Sequence, residues 1–489
     1  MLDHPTHIET PDEDAPLVTF TGNRGLDHEE ALIFEIGRPD TTGVDIDAPG
    51  TSQTRLGGLE RAEPIGLPGL SEPETMRHYV RLSRKNYSID AGLYPLGSCT
   101  MKHNPRLNER LARLEGFADI HPLQPQSTIP GALELMQELA HWLTTLTNMS
   151  AVAMSPKAGA HGELCGLMAI KSAIAARGEA ATRTVVLIPQ SAHGTNPASA
   201  ALGPDVAAIM LTNPNTCGLF ERDIVEIARL VHEAGGYFYC DGANFNAIAG
   251  VARPGDFGVD AMHINLHKTF STPHGGGGPG AGPVVLSERL APFAPVPFLR
   301  RDGDALTLVE HTEGTQSFGR LTAFHGQMGM FTRALSYMLA HGADGVAQAS
   351  RDAVLSANYV RASLRDVMTQ PFGDRICMHE ALFDDAWLKG TGVSTLDFAK
   401  AMIDEGYHPM TIYFPLVAHG AMLIEPTESE SKASVDLFIA TLRDLASSAL
   451  KGERSRFINA PRTTPRRRVD ETLAARKPVL RWRPAAEDV

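Results

Sequence analysis

Short apolar runs, several of them separated by helical stretches, fill the central part of this chain, and this pattern narrows the possible folds. The runs are continuous rather than alternating, as expected for strands buried on both faces of a sheet. Apolar residues at the spacing of one helix face occupy 131–147, and a further helical stretch occupies 222–234. Repetition of strand, helix and strand predicts an α/β fold with a mostly parallel sheet. The predicted strands are 184–189, 206–211, 237–241, 259–264 and 283–287.

Together with the segments before and after it, this central region predicts that the chain has four parts. The first part is rich in Gly, Pro, Asp and Thr, with short helices indicated near 79–82 and 107–114, and reads as an arm that packs on another domain or subunit. A helical stretch near 330–369 precedes a helix, two short strands and a helix over 395–449, which indicates a second, smaller α/β unit. We therefore expect an N-terminal arm (1–125), a large domain (126–340), a small C-terminal domain (341–450) and a basic tail (451–489).

Charge and composition exclude several classes of function. The 489 residues carry 44 Lys and Arg against 57 Asp and Glu, a net charge of −13, which disfavours binding to nucleic acid. Apolar runs long enough to span a membrane are absent from the sequence, and the acidic N-terminus resembles neither a secretory signal nor a transit peptide. The five cysteines form no CxxC pair, so we expect neither a zinc ribbon nor a disulfide scaffold, and a reducing cytoplasm is the expected location.

Lys268 is the first candidate catalytic residue. It follows an apolar run, stands beside His267 and precedes a glycine-rich loop. An ammonium group is costly to bury, so burial favours the neutral amine that bonds to a carbonyl carbon. The alternative is a surface lysine on a loop.

Asp241 is the second candidate, because it ends the apolar run 237–241. Lys268 follows it by 27 residues, about one step from strand to strand, so the two side chains are expected at neighbouring strand ends. An aspartate that keeps a pyridine nitrogen protonated and a lysine that holds an aldehyde are the pair required by pyridoxal phosphate (PLP). Ala243 is small enough to lie against a flat ring. The alternative for Asp241 is a loop cap.

Two further segments complete the pattern. Small residues lead into a predicted helix at 156–173, where free backbone N–H groups of Gly159, Ala160, His161 and Gly162 could hold a phosphate. His193, in a loop after the predicted strand 184–189, could stack on the pyridine ring. Each segment alone has a simpler explanation, as a helix start or a loop histidine. Their order along one parallel sheet is that of the aminotransferase-like, or fold-type I, PLP enzymes.

Two competing site types fit poorly. Gly275, Gly277 and Gly280 match the GxGxxG dinucleotide pattern, but Pro279 interrupts it and a strand-like run follows instead of a helix. His263 and His267 are four residues apart, but they lie on a predicted strand and loop rather than on one helix face, which disfavours a metal site.

The sequence resembles the P-protein family of the glycine cleavage system, that is, glycine dehydrogenase (decarboxylating), and in particular subunit 2 of its split bacterial form. The motifs that carry the resemblance span nearly the whole chain: YPLGSCTMKHNP (94–105), AGAHGE (158–163), HGTNPASA (193–200), TNPNTCGLFE (212–221), DGANFNAI (241–248), NLHKTF (265–270), PHGGGGPG (273–280), TIYFPL (411–416) and IEPTESESK (424–432).

This resemblance implies an activity and partners. It implies that Lys268 holds PLP, that glycine is the substrate, and that the lipoyl-bearing H protein accepts the aminomethyl group. A fused P protein is about twice as long, so the resemblance also implies a separate subunit 1 in an α2β2 assembly. The chain departs from the family pattern at His103, Lys157, His325 and Gln327, which affects contacts to substrate or subunit 1 rather than PLP binding.

The partners of the glycine carboxylate are predicted from position alone, and the candidates are Ser98, Cys99, Thr100, His103, Asn104 and Arg320. Cys99 could equally be an inert buried thiol. Two other functions remain open at this point. One is a different fold-type I amino-acid decarboxylase or aminotransferase, and the other is a scaffold subunit that only completes its partner's site.

Overall fold

The computed structural model describes residues 30–39, 41–43, 47, 56–63, 66–97, 99–189, 208–273, 280–323, 325–464 and 466–481. The helices in these ranges are α1 (Ile33–Ile36), α2 (Glu72–Arg84), α3 (Arg106–Ala112), α4 (Glu115–Ala118), α5 (Pro130–Thr147), α6 (Gly159–Ala176), α7 (Ile224–Glu233), α8 (Leu266–Thr269), α9 (Met328–Leu364), α10 (Thr395–Asp404), α11 (Lys432–Leu450), α12 (Ser455–Ile458) and α13 (Glu471–Arg476).

Six strands form the main sheet in the order β1-β6-β5-β4-β3-β2, and β2 to β5 run parallel while β6 is antiparallel to both of its neighbours. Two smaller sheets have the orders β10-β11-β9 and β7-β8. The strands are β1 (Ala151–Ala153), β2 (Val186–Leu187), β3 (Ala208–Thr212), β4 (Tyr237–Gly242), β5 (Ala261–Ile264), β6 (Val284–Leu286), β7 (Phe298–Asp302), β8 (Ala305–Val309), β9 (Ala381–Phe383), β10 (Thr411–Ile412) and β11 (Met422–Ile424).

The main sheet is covered on both faces, which explains its continuous apolar strands. Successive side chains of β4 enter opposite cores: Phe238 packs in the core that contains α5 and the first half of α9, and Tyr239 packs in the core that contains α6. All residues of β4, β5 and β6 are buried. The edge strand β2 differs, because Leu187 is exposed there.

The long helix α9 joins the two halves of the molecule. Its regular geometry is interrupted at Gly342, where φ is 64° and ψ is 179°, a backbone conformation that favours glycine. Residues before this break pack on the main sheet, whereas Ala357, Val360 and Leu364 pack on the small sheet β10-β11-β9. The two sheets are therefore linked by one bent helix.

The predicted elements agree with the structure at most positions. The five predicted strands correspond to β2 to β6, the helix at 131–147 to α5, and the unit at 395–449 to α10, β10, β11 and α11. The sequence analysis missed β1, β9 and the hairpin β7–β8. Lys268 lies on the short helix α8 rather than on the loop that was predicted. The four-part division of the chain stays a prediction. In the described ranges, each helix is too short or too polar to cross a membrane.

Candidate active site

Lys268 and Asp241 lie at the carboxyl ends of adjacent parallel strands. Asp241 pairs with His263 in the register of β4 and β5, and α8 starts two residues after β5 ends. Asp241 is 1% exposed, and Lys268 is partly exposed. The two strands that precede these residues are thus neighbours, as expected, although Lys268 lies four residues beyond the end of β5 and short 3-10 turns rather than a long helix connect β4 to β5.

Three donors surround the Asp241 carboxylate. The Ala243 N–H donates to Oδ1 at 2.9 Å, and the Thr212 hydroxyl lies 3.3 Å from Oδ2. His263 Nε2 is 3.1 Å from Oδ1, and the other ring nitrogen of His263 is 2.8 Å from the Tyr239 hydroxyl. These contacts hold the carboxylate in a fixed position at the end of β4.

The Tyr239 hydroxyl fixes the tautomer of His263. Burial, aided by the nearby Glu163, raises the pKa of Tyr239 well above its usual value, so its hydroxyl keeps its proton. When that hydroxyl donates to Nδ1, Nε2 carries the hydrogen that faces Asp241, and the bonding needs of all three groups are met. Neither Tyr239 nor His263 was predicted as a site residue.

The first turn of α6 forms a candidate anion site. In the part of the chain that the structure describes, no side chain caps this 18-residue helix, whose N-cap residue is Ala158. A Cβ on Gly159 would lie 2.6 Å from Asn265 Oδ1, so this turn approaches the chain just before Lys268 closely. His161 Nδ1 accepts a hydrogen bond from the Lys157 N–H at 3.2 Å. The structure thus brings the predicted phosphate segment beside Asn265, three residues before Lys268.

The N-terminal segment contributes residues to the same place. The Thr100 hydroxyl lies 2.8 and 3.0 Å from the two Glu425 oxygens, and the Asn104 amide, oriented to donate, lies 2.6 Å from the Ser271 carbonyl oxygen. Cys99 is buried, and its thiol lies 3.5 Å from the Thr100 carbonyl oxygen. Of the predicted substrate residues, Thr100 contacts the Glu425 carboxylate, and Asn104 contacts the segment that follows α8.

Other predicted residues lie elsewhere or outside the described ranges. His103 is half exposed, with Nδ1 3.6 Å from Asp90. The Arg320 guanidinium pairs with Glu310 at 3.2 Å. His267 lies beside Lys268 on α8 and is partly buried. Ser98, His193 and the glycine loop 274–279 lie outside the residues that the structure describes.

A buried ionic cluster faces Lys268 from the small sheet. Glu380 and Glu425 adjoin β9 and β11, and His379 precedes Glu380. Burial raises the pKa of Glu425 to about 7 and that of Glu380 well above its usual value, and the Lys268 charge opposes both shifts. Burial, followed by the charges of Lys268 and Lys102, lowers the pKa of His379 to about 3.

Relatives of this chain were found by sequence. Residues 349–461 match the family model "Glycine dehydrogenase, C-terminal domain". The chain is 65% identical to the probable glycine dehydrogenase (decarboxylating) subunit 2 of Caulobacter vibrioides, over 96% of this chain and 95% of the relative. The protein of the same name from Exiguobacterium sibiricum is 47% identical, over 94% of this chain and 98% of the relative.

The chain belongs to the glycine dehydrogenase (decarboxylating) subunit 2 family. This membership confirms the resemblance inferred from the motifs.

Solved structures similar to this subunit 2 chain confirm its fold class. A crystal structure of glycine decarboxylase (P-protein) of the glycine cleavage system, in inhibitor-bound form, superposes with a TM-score of 0.67 at 20% identity, over 80% of this chain and 93% of the other. Oryza sativa TDC with PLP gives a TM-score of 0.57 at 11% identity, over 82% and 93% of the two chains. The glycine dehydrogenase subunit 2 chain therefore has the fold-type I architecture.

The sequence analysis missed all three residues of the buried ionic cluster in this glycine dehydrogenase subunit 2 chain. Glu425 lies in a motif that carried the resemblance, but nothing in the spacing of the motifs places 424–432 beside Lys268. His379 and Glu380 lie outside every motif. A signal did exist for Glu425, since a carboxylate directly after an apolar strand run needs a partner when it is buried.

Proposed function

We propose that this chain catalyses the PLP-dependent decarboxylation of glycine, and that it passes the aminomethyl group to the lipoyl arm of the H protein with release of CO2. In this proposal it is the subunit that carries the PLP lysine. The observation that carries the proposal is the placement of Lys268 and Asp241 at adjacent strand ends, beside the uncapped first turn of α6.

The residues present fit PLP in size and polarity. Asn265 Oδ1, Thr269 Oγ1 and Thr272 Oγ1 are buried and have no hydrogen-bond partner within the described part of the chain. Unpaired buried polar atoms are costly, so a polar ligand at this place would relieve them. Gly159 leaves no room for a side chain between α6 and Asn265, which lets backbone N–H groups reach a phosphate.

The proposed roles follow from these positions. Lys268 would hold the cofactor aldehyde, Asp241 would hold the proton on its ring nitrogen, and Gly159 to Gly162 would bind its phosphate. Ala243 would leave space for the ring, with His193 stacked on it and His267 beside it. When bound, PLP supplies an electron sink that stabilises the negative charge left on the glycine Cα as CO2 departs.

The remaining steps assign work to the protein. The glycine amine would displace the Lys268 amine, which then becomes free to move protons and later to reclaim the cofactor. The lipoyl disulfide bond would break as one of its sulfurs bonds to the glycine methylene carbon. We propose the five N-terminal candidates and Arg320 as the pool from which carboxylate partners come, and the Thr100 hydroxyl is a member of it that contacts the buried Glu425.

We further propose that the chain works with subunit 1 in an α2β2 assembly. Solvent-facing apolar side chains on α2 support a protein interface, since Met76, Tyr79 and Val80 are each more than half exposed. Mass measurement of the mixed subunits tests this part. A monomeric chain that does not associate with subunit 1 would contradict it.

Borohydride reduction tests the central claim. The purified chain, with subunit 1 and PLP, should give a stable phosphopyridoxyl group on Lys268 after reduction and peptide mapping. In a separate sample that has not been reduced, addition of lipoylated H protein should support exchange of the glycine carboxyl group with CO2. No adduct on Lys268, even with subunit 1 present, would refute the proposal.

The variant Lys268→Ala separates an enzyme from a scaffold. A catalytic subunit should lose exchange activity by at least about a thousandfold, because both the covalent link and the proton carrier are removed. A scaffold that only completes its partner's site would keep full activity.

A further inference from the structure

Three buried side chains from the small-sheet half of the molecule converge near Lys268. His379 Nε2 lies 3.8 Å from Glu380 Oε1 and 3.9 Å from Glu425 Oε1. One ligand atom from each of the three residues lies within 4.8 Å of those of the other two. His379 is 0% exposed, Glu425 1% and Glu380 5%. Groups this polar are rarely buried together without a partner.

The imidazole of His379 has unused bonding capacity. In the described ranges, neither Nδ1 nor Nε2 has a hydrogen-bond partner. Its pKa, lowered to about 3 by burial, keeps the ring neutral, with one nitrogen free to accept and one free to donate. A fully buried ring with both nitrogens unpaired, aimed at two carboxylates, indicates a place where a polar ligand group belongs.

The two carboxylates differ in the hydrogen bonds that they accept. Glu425 receives the Thr100 hydroxyl and the Asn246 amide, at 2.8 and 3.0 Å. Among the residues that the structure describes, Glu380 accepts only a long hydrogen bond of 3.5 Å from the Asn244 amide. Two buried carboxyl groups this close cannot both ionise cheaply, so the pair holds a proton at pH values where isolated carboxylates have lost theirs. It can therefore both attract a cation and accept a proton.

Lys268 acts on both carboxyl groups of the pair in the cofactor-free chain, and Lys102 also acts on Glu425. The Lys268 charge acts to lower the pKa of Glu380 and of Glu425. An ammonium group has three N–H donors, but a lysine nitrogen bonded to a carbonyl carbon keeps one at most. Once Lys268 is engaged in that bond, the carboxylates face a nitrogen with fewer N–H donors, and a second ammonium group can supply the missing donors.

We propose that Glu380, Glu425 and His379 form a subsite for a primary ammonium group, namely the amine end of the amino-acid substrate. The inference rests on the proposed function and deepens it. The substrate arrives with its amine protonated, and a protonated amine has no lone pair for attack on a carbonyl carbon. One N–H bond of the ammonium breaks and one O–H bond forms on the ionised carboxylate. The products are a neutral amine and a carboxylic acid, with no change in oxidation state.

Methylamine is the probe that isolates this subsite, because it has the amine of glycine without the carboxylate. The test uses the full chain with subunit 1 and PLP, and follows binding by the change in cofactor absorbance. Glu425→Gln and Glu380→Gln should each weaken methylamine binding by at least about tenfold, since each removes one of the two carboxyl groups that share the negative charge. Inhibition by acetate, which lacks an amine, should change less than about twofold. Glu425→Asp, which keeps the charge, should recover part of the loss.

Glu134→Gln is the matched control, because Glu134 is exposed on α5. Unchanged methylamine affinity in both Gln variants, with Lys268 still labelled by borohydride, would overturn the subsite and leave the proposed function intact. Absence of label on Lys268 in the unsubstituted protein would overturn both. Should Glu425→Gln not fold, Glu380→Gln decides alone, because Glu380 makes the weaker contacts.

Discussion

At the scale of single residues, Tyr239, His263 and Asp241 form a series of side chains in polar contact. This series links the α6 side of the main sheet to the candidate cofactor site. Its two distances, 2.8 and 3.1 Å, join three side chains that are each about 1% exposed or less. Strand geometry explains why Tyr239 and Asp241 share a face, since they are two positions apart on β4. A substitution of Tyr239 should therefore affect Asp241 through His263.

The first prediction concerns this series of contacts. Tyr239→Phe leaves His263 Nδ1 buried without its donor, and we expect a loss of about 1–3 kcal/mol in the free energy of unfolding. Weaker retention of PLP should accompany it, because His263 no longer has a fixed tautomer. Urea titration and equilibrium dialysis measure the two effects.

Tyr359→Phe is the control for that experiment. The Tyr359 hydroxyl donates to Asp436 at 2.6 Å, but Tyr359 is 38% exposed and water can replace the bond. Its effect should stay within about 0.5 kcal/mol. Equal losses in the two variants would show that the His263 bond has no special importance.

The second prediction follows from the pKa of Glu425, which burial raises to about 7. A carboxyl group with a raised pKa in the folded state stabilises the fold below its unfolded pKa, and this contribution is lost as the pH rises toward 7. In the cofactor-free chain, Glu425→Gln should therefore gain thermal stability relative to the unsubstituted chain as the pH rises from about 5 to 8. The charged or titratable groups that face Glu425 are Lys102, Lys268, His379, Glu380 and Glu428.

Melting temperatures across that pH range test this second prediction. Glu134→Gln is the control, and its melting temperature should follow that of the unsubstituted chain. A difference between Glu425→Gln and the unsubstituted chain that does not vary with pH would contradict the assigned pKa shift.

At the scale of elements, the close packing of α6 on the main sheet places the anion site. A Cβ on Gly162 would lie 2.6 Å from His263 Cβ, and one on Gly166 would lie 2.3 Å from Tyr239 Cε2. Gly159, Gly162 and Gly166 follow the spacing of one helix face. This glycine face lets the helix lie directly on β4 and β5, so its first turn reaches the level of Asn265.

The third prediction tests this packing. Gly166→Ala forces a methyl group into the Tyr239 ring and should cost about 1–3 kcal/mol. It should also weaken PLP binding, because α6 must move away from the sheet. Gly131→Ala is the control: Gly131 lies in α5 with no atom near its missing Cβ, and this change should be neutral or stabilising by up to about 1 kcal/mol. A neutral Gly166→Ala would mean that α6 can shift without consequence.

How much could be predicted also differs between elements. Buried strands β3 to β6 were predictable because continuous apolar runs identify strands covered on both faces. The three-residue strands β1 and β9 are too short to show a pattern, and β7–β8 is half exposed. Lys268 and Asp241 were predictable from strand ends. His379 and Glu380 were not, because their role depends on how the small sheet meets the main one.

At the scale of the whole molecule, Lys102 contacts residues from three distant parts of the chain. Its ammonium donates to the Thr269 carbonyl oxygen at 2.8 Å and to Glu428 at 2.6 Å, and it lies 5.3 Å from the Tyr337 ring centre. Burial acts to lower the pKa of Lys102, but Glu428, Tyr337 and Glu425 together more than offset this, so the pKa is raised and Lys102 stays charged.

The fourth prediction tests this buried pair. Lys102→Met leaves the Glu428 carboxylate buried and unpaired, and should cost about 3–5 kcal/mol. The double variant Lys102→Met with Glu428→Gln should recover most of that loss, because no unpaired charge remains. Chemical denaturation of the three proteins measures both. A double variant as unstable as Lys102→Met would mean that the lysine contributes mainly through packing.

The bond between Thr100 and Glu425 also has a consequence for synthesis on the ribosome. Its two partners are 325 residues apart in the chain. At 5–20 residues per second, translation needs about 15–65 s to add Glu425 after Thr100. The nascent chain therefore presents Lys268 and Asp241 to the cell well before the residues that enclose them emerge. A truncated product that ends before β11 would still display the lysine motif, and a search for that motif alone would count it as a complete site.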